Sequence, residues 1–164
     1  MQKRIAVQLT TESITHAIAE IKAYKQEIIS RTNELMQALV DEGVMTVKTW
    51  IIAYDAVETG SLLNSIEGIF DATTGRGFIK ANSDHAAFVE FGTGVMGQTH
   101  AASSPDKPEG WLYDVNKHEH DGWYYYDHGV KRWTKGREPR PFMWQAFNEL
   151  CSKAHDIARM KYNG

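Results

Sequence analysis

Hydrophobic residues in the first quarter of the chain recur on alternating three- and four-residue steps: Ile14, Ile18, Ile21, Ile28, Leu35 and Leu39. Lys25 and Thr32 occupy the two remaining places on the same line. That spacing lays one apolar stripe along a helix, and Glu27 and Arg31 stand at the i, i+4 distance at which opposite charges support it. Thr10, Thr11 and Ser13 offer N-cap side chains after a leading stretch, Met1 to Leu9, that reads as a strand or an arm. A helix from about Thr11 to Glu42 would be about 48 Å long, longer than a small domain is wide, so part of it is expected to pack on another subunit. Two helices broken near the middle are the alternative. Gly43 marks a break or kink. Beyond it Val44 to Ala56 is apolar enough to be buried; Val47, Ile51 and Tyr54 fit a helical face, while the β-branched content would also suit a strand.

Shorter elements follow. Glu58-Thr-Gly-Ser-Leu-Leu-Asn-Ser-Ile66 opens with a turn at Thr59-Gly60 and predicts a single helical turn carrying Leu62 and Ile66 inward. Glu67 to Ala72 and Gly77 to Asn82 flank the turn formers Thr73 to Gly77 as a β-hairpin. His85-Ala-Ala-Phe-Val-Glu-Phe-Gly-Thr-Gly94 is a buried run too short to stand alone as a helix or to span a membrane. Ser83 and Asp84 cap its start, and Gly92 and Gly94 stop it in a cap or tight turn. From Gly94 to Pro139 the texture changes: Ser103 to Pro108 is loop, and Trp111, Tyr113, Trp123, Tyr124, Tyr125, Tyr126 and Trp133 crowd into two runs. Tyr124 to Asp127 and Val130 to Thr134 predict a second hairpin around His128-Gly129, its rings forming either the core of a projection or a contact surface. Pro141 is placed at the first turn of a last helix. The apolar face of that helix is Phe142, Ala146, Phe147, Leu150, Ala154, Ile157 and Ala158, with Cys151 beside it as a small buried hydrophobe. The expected fold is therefore a single α+β domain over residues 1–164. It has a long N-terminal helix, a small antiparallel β-sheet with an inserted aromatic-rich hairpin at about 95–138, and a C-terminal helix packed on the sheet.

Composition narrows the class without naming it. The 164 residues are 42% hydrophobic and 24% charged with net charge −3, which suits one soluble globular domain. One cysteine cannot make an intrachain disulfide, and the N-terminus has no continuous apolar stretch behind its basic residues, so neither a signal peptide nor an anchor is read. Charge is polarised: Met1 to Val130 carries 10 Lys+Arg against 18 Asp+Glu, or −8, and Lys131 to Gly164 carries 8 against 3, or +5. With no nucleic-acid recognition motif, these read as complementary surfaces between copies or partners rather than as a sequence-specific DNA site.

Candidate chemistry is thin. Asp114, His118, Glu119, His120, Asp121, Asp127 and His128 make the richest polar cluster, and His118, His120 and His128 are the candidates for a zinc-type site. No fixed-spacing signature matches, and a solvated loop accounts for them as well. Phosphate, dinucleotide and nucleophile-elbow motifs are absent, and Cys151 with His155 at i+4 lacks a third, orienting group. Glu90 is either a general acid or metal ligand, or a carboxylate that ties its turn to backbone N–H groups or an Arg. Without a His or Cys partner the second reading is taken, fixing Gly92-Thr93-Gly94. No catalytic residue, metal or cofactor is assigned.

Three segments taken in order resemble a known family: Glu58 to Ile66, His85 to Thr93, and Arg140-Pro-Phe-Met143 followed by Gln145-Ala146. Thr59, Gly60, Leu62 and Ser65 carry the first, Glu90, Phe91, Gly92 and Thr93 the second, Pro141 and Phe142 the third. The pattern is similar to the minor tail components of long-tailed bacteriophages, the tail-completion or head-to-tail joining proteins of the neck. It departs from them at Ala56-Val57-Glu58, where the family usually has Pro-Val-Asp, at His85 in place of Tyr, and at Gln145 in place of Pro. The insert ending in Arg132-Trp-Thr-Lys-Gly136 resembles versions from phages and prophages of Gram-positive bacteria.

The resemblance implies a structural virion protein that is not an enzyme, assembled in the host cytoplasm as a ring, of six copies in the family. Such a ring would touch a head-completion protein, a tail terminator and the tail tube. Alternatives are another connector ring protein, or a metal-dependent hydrolase of a mobile element using the His118 to His128 cluster. A closed ring needs heterologous contacts, one face of each copy meeting a different face of the next.

Overall fold

The computed structural model describes residues 4–57, 60–100, 107–111, 113 and 121–163. One helix dominates it. Helix α1 runs unbroken from Thr11 to Ala53, 43 residues, or about 64 Å. Thr10 is its N-cap, the hydroxyl accepting from Ser13 N at 3.3 Å. At the far end Asp55 adopts φ +50°, Asp55 N bonds to Ile52 O and Ala56 N to Ile51 O, a Schellman closure in which Asp takes the left-handed place usually held by glycine.

Gly43 does not break α1, and neither the two-helix alternative nor a strand over 44–56 is present. A β-carbon on Gly43 would meet Ile79 Cδ1 and come within 3.2 Å of Leu150 Cδ2. The missing side chain is used for close packing between elements rather than for a turn.

The remaining elements gather on the C-terminal half of this rod. The turn α2 (Ser61–Asn64) buries Leu62 and leads into Ile66, as the sequence predicts. Strands β1 (Ile66–Asp71) and β2 (Arg76–Ala81) pair antiparallel with Ile66 opposite Ala81 and Asp71 opposite Arg76. Gly68 and Gly77 face α1 so closely that a β-carbon on either would meet Val40. Helix α3 (Ala86–Phe91) forms from the apolar run that is too short to stand alone as a helix, with Gly92 as its C-cap. It buries Ala86, Val89 and Glu90 but leaves Phe88 exposed. Its N-cap is His85 rather than Ser83 or Asp84. Ser83 gives its carbonyl to Ala86 N and shares a hydrogen bond between its hydroxyl and the His85 ring.

Helix α4 (Gly94–Thr99) was not foreseen. Strands β3 (Trp123–Asp127) and β4 (Val130–Thr134) form the second hairpin around His128-Gly129 as read, followed by the short β5 (Gly136–Arg137). The α+β arrangement holds, the two hairpins forming separate two-stranded antiparallel sheets among the described residues.

Helix α5 (Phe142–Asn163) returns antiparallel along α1. Trp50 Nε1 donates to Glu149 at 2.9 Å, Lys153 bridges Glu42 at 2.7 Å and Glu149 at 2.8 Å, and Arg31 donates to the carbonyls of Lys161 and Tyr162 at 3.2 Å each. Val47, Ile51, Leu62, Val89, Phe142 and Ala146 are buried together as the core, with Ile79 and Met143 packed against it. Two of the predicted core residues of α5 lie elsewhere. Cys151 and Phe147 are exposed; at about 100° per residue, Cys151 stands on the opposite side of the helix from Phe142.

The Lys153 ammonium, and after it the Trp50 indole N–H, holds the Glu149 carboxyl below its ordinary 4.5, while Glu149 and then Glu42 raise Lys153 above its ordinary 10.5. The depressed carboxyl contributes stability above the unfolded-state value and loses it as pH falls below about 4.5; the raised ammonium contributes below about 10.5 and loses it as pH rises beyond. The melting-temperature gap between wild type and Glu149→Gln is therefore expected to shrink from about pH 7 to about pH 3. An unchanged gap in pH-dependent thermal melts would show that the α1–α5 tie is not electrostatic.

Candidate functional site

The resemblance segments converge on the N-terminus of α5. The first N–H groups of a helix have no partner within it, and an N-cap side chain normally accepts from the second and third. Here the carbonyl of Pro141 takes the first helical bond, from Gln145 N at 3.0 Å. Pro141 is therefore the N-cap rather than a first-turn residue, and it has no polar side chain to offer. Glu90 supplies one. Its carboxylate accepts from Met143 N at 2.9 Å and Trp144 N at 3.1 Å, while Arg140 N donates to Val89 O at 2.8 Å.

Glu90 is only 5% exposed. A carboxylate so far from water, aimed at the positive end of a helix dipole, is held as a structural anion. The backbone-binding reading of Glu90 holds in kind, and the N–H groups its carboxylate takes at Met143 and Trp144 belong to α5.

That turn is held otherwise. Thr93 bridges Arg137, its hydroxyl accepting from Arg137 N at 3.0 Å, and Gly94 bridges Gly136. Gly94 N also donates to Tyr113 O. Gly92 adopts φ +77°, where a β-carbon would come within 2.7 Å of Arg137 O and 2.9 Å of Pro139 N. The segments around residues 93 and 137 thus pass backbone against backbone and root the second hairpin.

Trp111 lies against Phe88 and Phe91, ring centroids 5.5 and 5.2 Å apart, and its indole N–H is buried without a partner among the described residues. Phe142 and Leu62 are both in the core. Ser65 bonds Leu62 O through its hydroxyl and receives Asn82 N on its carbonyl, tying α2 to β2. Gly60 adopts φ +75° as the N-cap of α2. Every described motif residue, then, builds a turn, a cap or the core.

Chemistry of other kinds finds little support in the geometry. Thr59, His118 and His120 lie outside the described residues. His128 sits at the tip of the second hairpin with its side chain 96% exposed, 2.8 Å from Asp127. Among the described residues no three His, Cys, Asp or Glu side chains are grouped to hold a metal ion. Cys151 and His155 are both exposed, and the His155 ring is 3.6 Å from Asp156.

The chain matches no family model, no curated protein and no solved structure.

Two exposed surfaces remain. Ile14, Ile18 and Ile21 are 43%, 49% and 56% exposed, and before Val40 only Ala17 of α1 is buried. Arg31 holds the end of α5 through the carbonyls of Lys161 and Tyr162, and residues 11–30 carry α1 about 30 Å beyond that point. The second surface is the aromatic hairpin. On one of its faces Tyr124, Tyr126 and Trp133 are exposed, Trp133 edge-on to Tyr124 at 4.7 Å and Lys131 over the Tyr124 ring at 4.3 Å. That exposure sets these three rings outside the core. No helix among the described residues is long and apolar enough to cross a membrane.

Proposed function

We propose that the chain is a structural subunit of the neck of a long-tailed bacteriophage or prophage, one that assembles into a ring completing the tail and joining it to the head. The observation that carries this is the projecting half of α1. A helix draws most of its stability in water from packing one apolar face, and here Ile14, Ile18 and Ile21 of that face stand exposed within a single copy. A neighbouring copy that covers it, and in turn extends its own α1 to the next, makes the repeated heterologous contact from which rings are built. The order and spacing of the resemblance segments support the same reading, and so does the purely structural use of Glu90. Head-completion, tail-terminator and tail-tube proteins are the partners it would meet.

Purified protein is expected to form oligomers in sedimentation velocity at about 0.05 M salt and ring-shaped particles in negative-stain electron microscopy, with association weakening towards about 1 M salt. A strict monomer at high protein concentration and low salt overturns the ring. Genes for portal, capsid and tail tube beside its own are the expected genomic setting.

A further inference from the structure

Glu20, Glu27, Glu34 and Asp41 fall seven residues apart. Two turns of helix separate each pair, so the four acids form a row along one side of α1 over about 31 Å. At about 100° per residue, that side faces away from the isoleucine stripe. Among the described residues only Glu27 has a cation, Arg31 at 3.2 Å. Glu34 and Asp41 are exposed and accept only from the neutral Ser30 and Gln37.

The opposite sign collects in a cleft of about 710 Å³ between the end of α1 and the second hairpin, lined by Arg137, Arg140, Trp123, Tyr125 and Asp55. Both arginines are partly buried. The Arg137 guanidinium has no hydrogen bond or ion pair among the described residues, since only its main-chain N–H is used, on Thr93. Arg140 donates to the main-chain carbonyl of Asp55 at 2.6 Å and not to its carboxylate. Residues 130–140 carry five Lys and Arg against one acid, Glu138. Two guanidiniums drawn partly out of water, neither of them ion-paired among the described residues although Asp55 lines the same cleft, are a fork-shaped receptor for anions, and the flanking rings shield the contact.

We propose that the acidic row of α1 in a second copy occupies this cleft. The same chain carries an acid row short of cations and a cation cleft short of anions, on different surfaces, as a heterologous contact requires. The inference rests on the ring reading and adds to it a polar contact on a different side of α1 from the isoleucine face.

Charge reversal tests it. One variant is Arg137→Glu, at a guanidinium its own fold does not use. The other combines Glu20→Lys, Glu34→Lys and Asp41→Lys. Circular dichroism melts check that both fold. Each alone is expected to weaken self-association at least about tenfold in sedimentation at low salt, and an equimolar mixture of the two to restore it, because each then offers the charge the other lacks. Variants that associate like wild type, or a mixture that fails to recover, overturn the contact while leaving the ring standing. A wild type that stays monomeric removes both. Retention of an oligonucleotide that Arg137→Glu abolishes, with self-association unaffected, would give the cleft to a nucleic acid instead.

Discussion

Glu90→Ala is expected to cost about 3 kcal/mol and lower the melting temperature by about 6–12 °C. Two N–H groups at the start of α5, those of Met143 and Trp144, would lose their acceptor, and Pro141 has no side chain to replace it. Glu90→Gln keeps one carbonyl oxygen but loses the charge that faces the helix dipole and brings an NH₂ towards donors. An intermediate cost of about 1.5–3 kcal/mol is expected. Thermal melts give the size, and amide exchange at Met143 and Trp144, faster than in wild type, gives the location. A Glu90→Ala protein that melts with wild type would show that the cap is not holding α5.

The second large effect belongs to Gly136→Ala. Gly136 adopts φ +101°, and a β-carbon there would run into the Thr93 carbonyl oxygen and come within 2.6 Å of its carbon and 2.7 Å of Gly94 Cα. These are main-chain atoms that no rotamer change can move aside. The strained backbone and the displaced strand together are expected to cost about 4 kcal/mol. Gly75→Ala separates the two contributions, because Gly75 has φ +67° and nothing within 4 Å of the added carbon; about 1 kcal/mol is expected there. The near-ultraviolet signal of the hairpin tryptophans should collapse in Gly136→Ala while most helical signal survives. Equal costs at the two positions would refute the close approach.

What could be seen in the sequence was whatever depends on neighbours a few residues apart. The isoleucine stripe announced α1, and the turn formers at Thr73 to Gly77 and His128-Gly129 announced both hairpins, because periodicity and turn chemistry are local. Gly43 misled because a missing side chain serves a turn and a close approach equally well, and only the position of Ile79 decides between them. Helix α4 was invisible: Gly94-Val-Met-Gly-Gln-Thr99 has two glycines and no cap bond, and it is held by Met96 N on Lys135 O and by the bridge to Gly136. Phe147 was assigned to a face drawn slightly too wide around α5, and Cys151, expected buried beside that face, is exposed. Glu90 shows the limit most clearly. Its chemistry, a carboxylate on backbone N–H groups, followed from the absence of catalytic partners, whereas its address 53 residues away depended on how α3 and α5 meet.

The unbroken course of α1 makes the subunit a lever. The same rigid rod carries the core contacts of Val47 and Ile51 at one end and the bare isoleucines at the other, with no kink at Gly43 to absorb a bend. A tilt of about 10° at Val40 would swing the Thr11 end by about 8 Å. A neighbour that grips the tip can thereby shift the footing of the first hairpin, which packs on α1 through Gly68 and Gly77, and a change there can be felt as displacement at the tip.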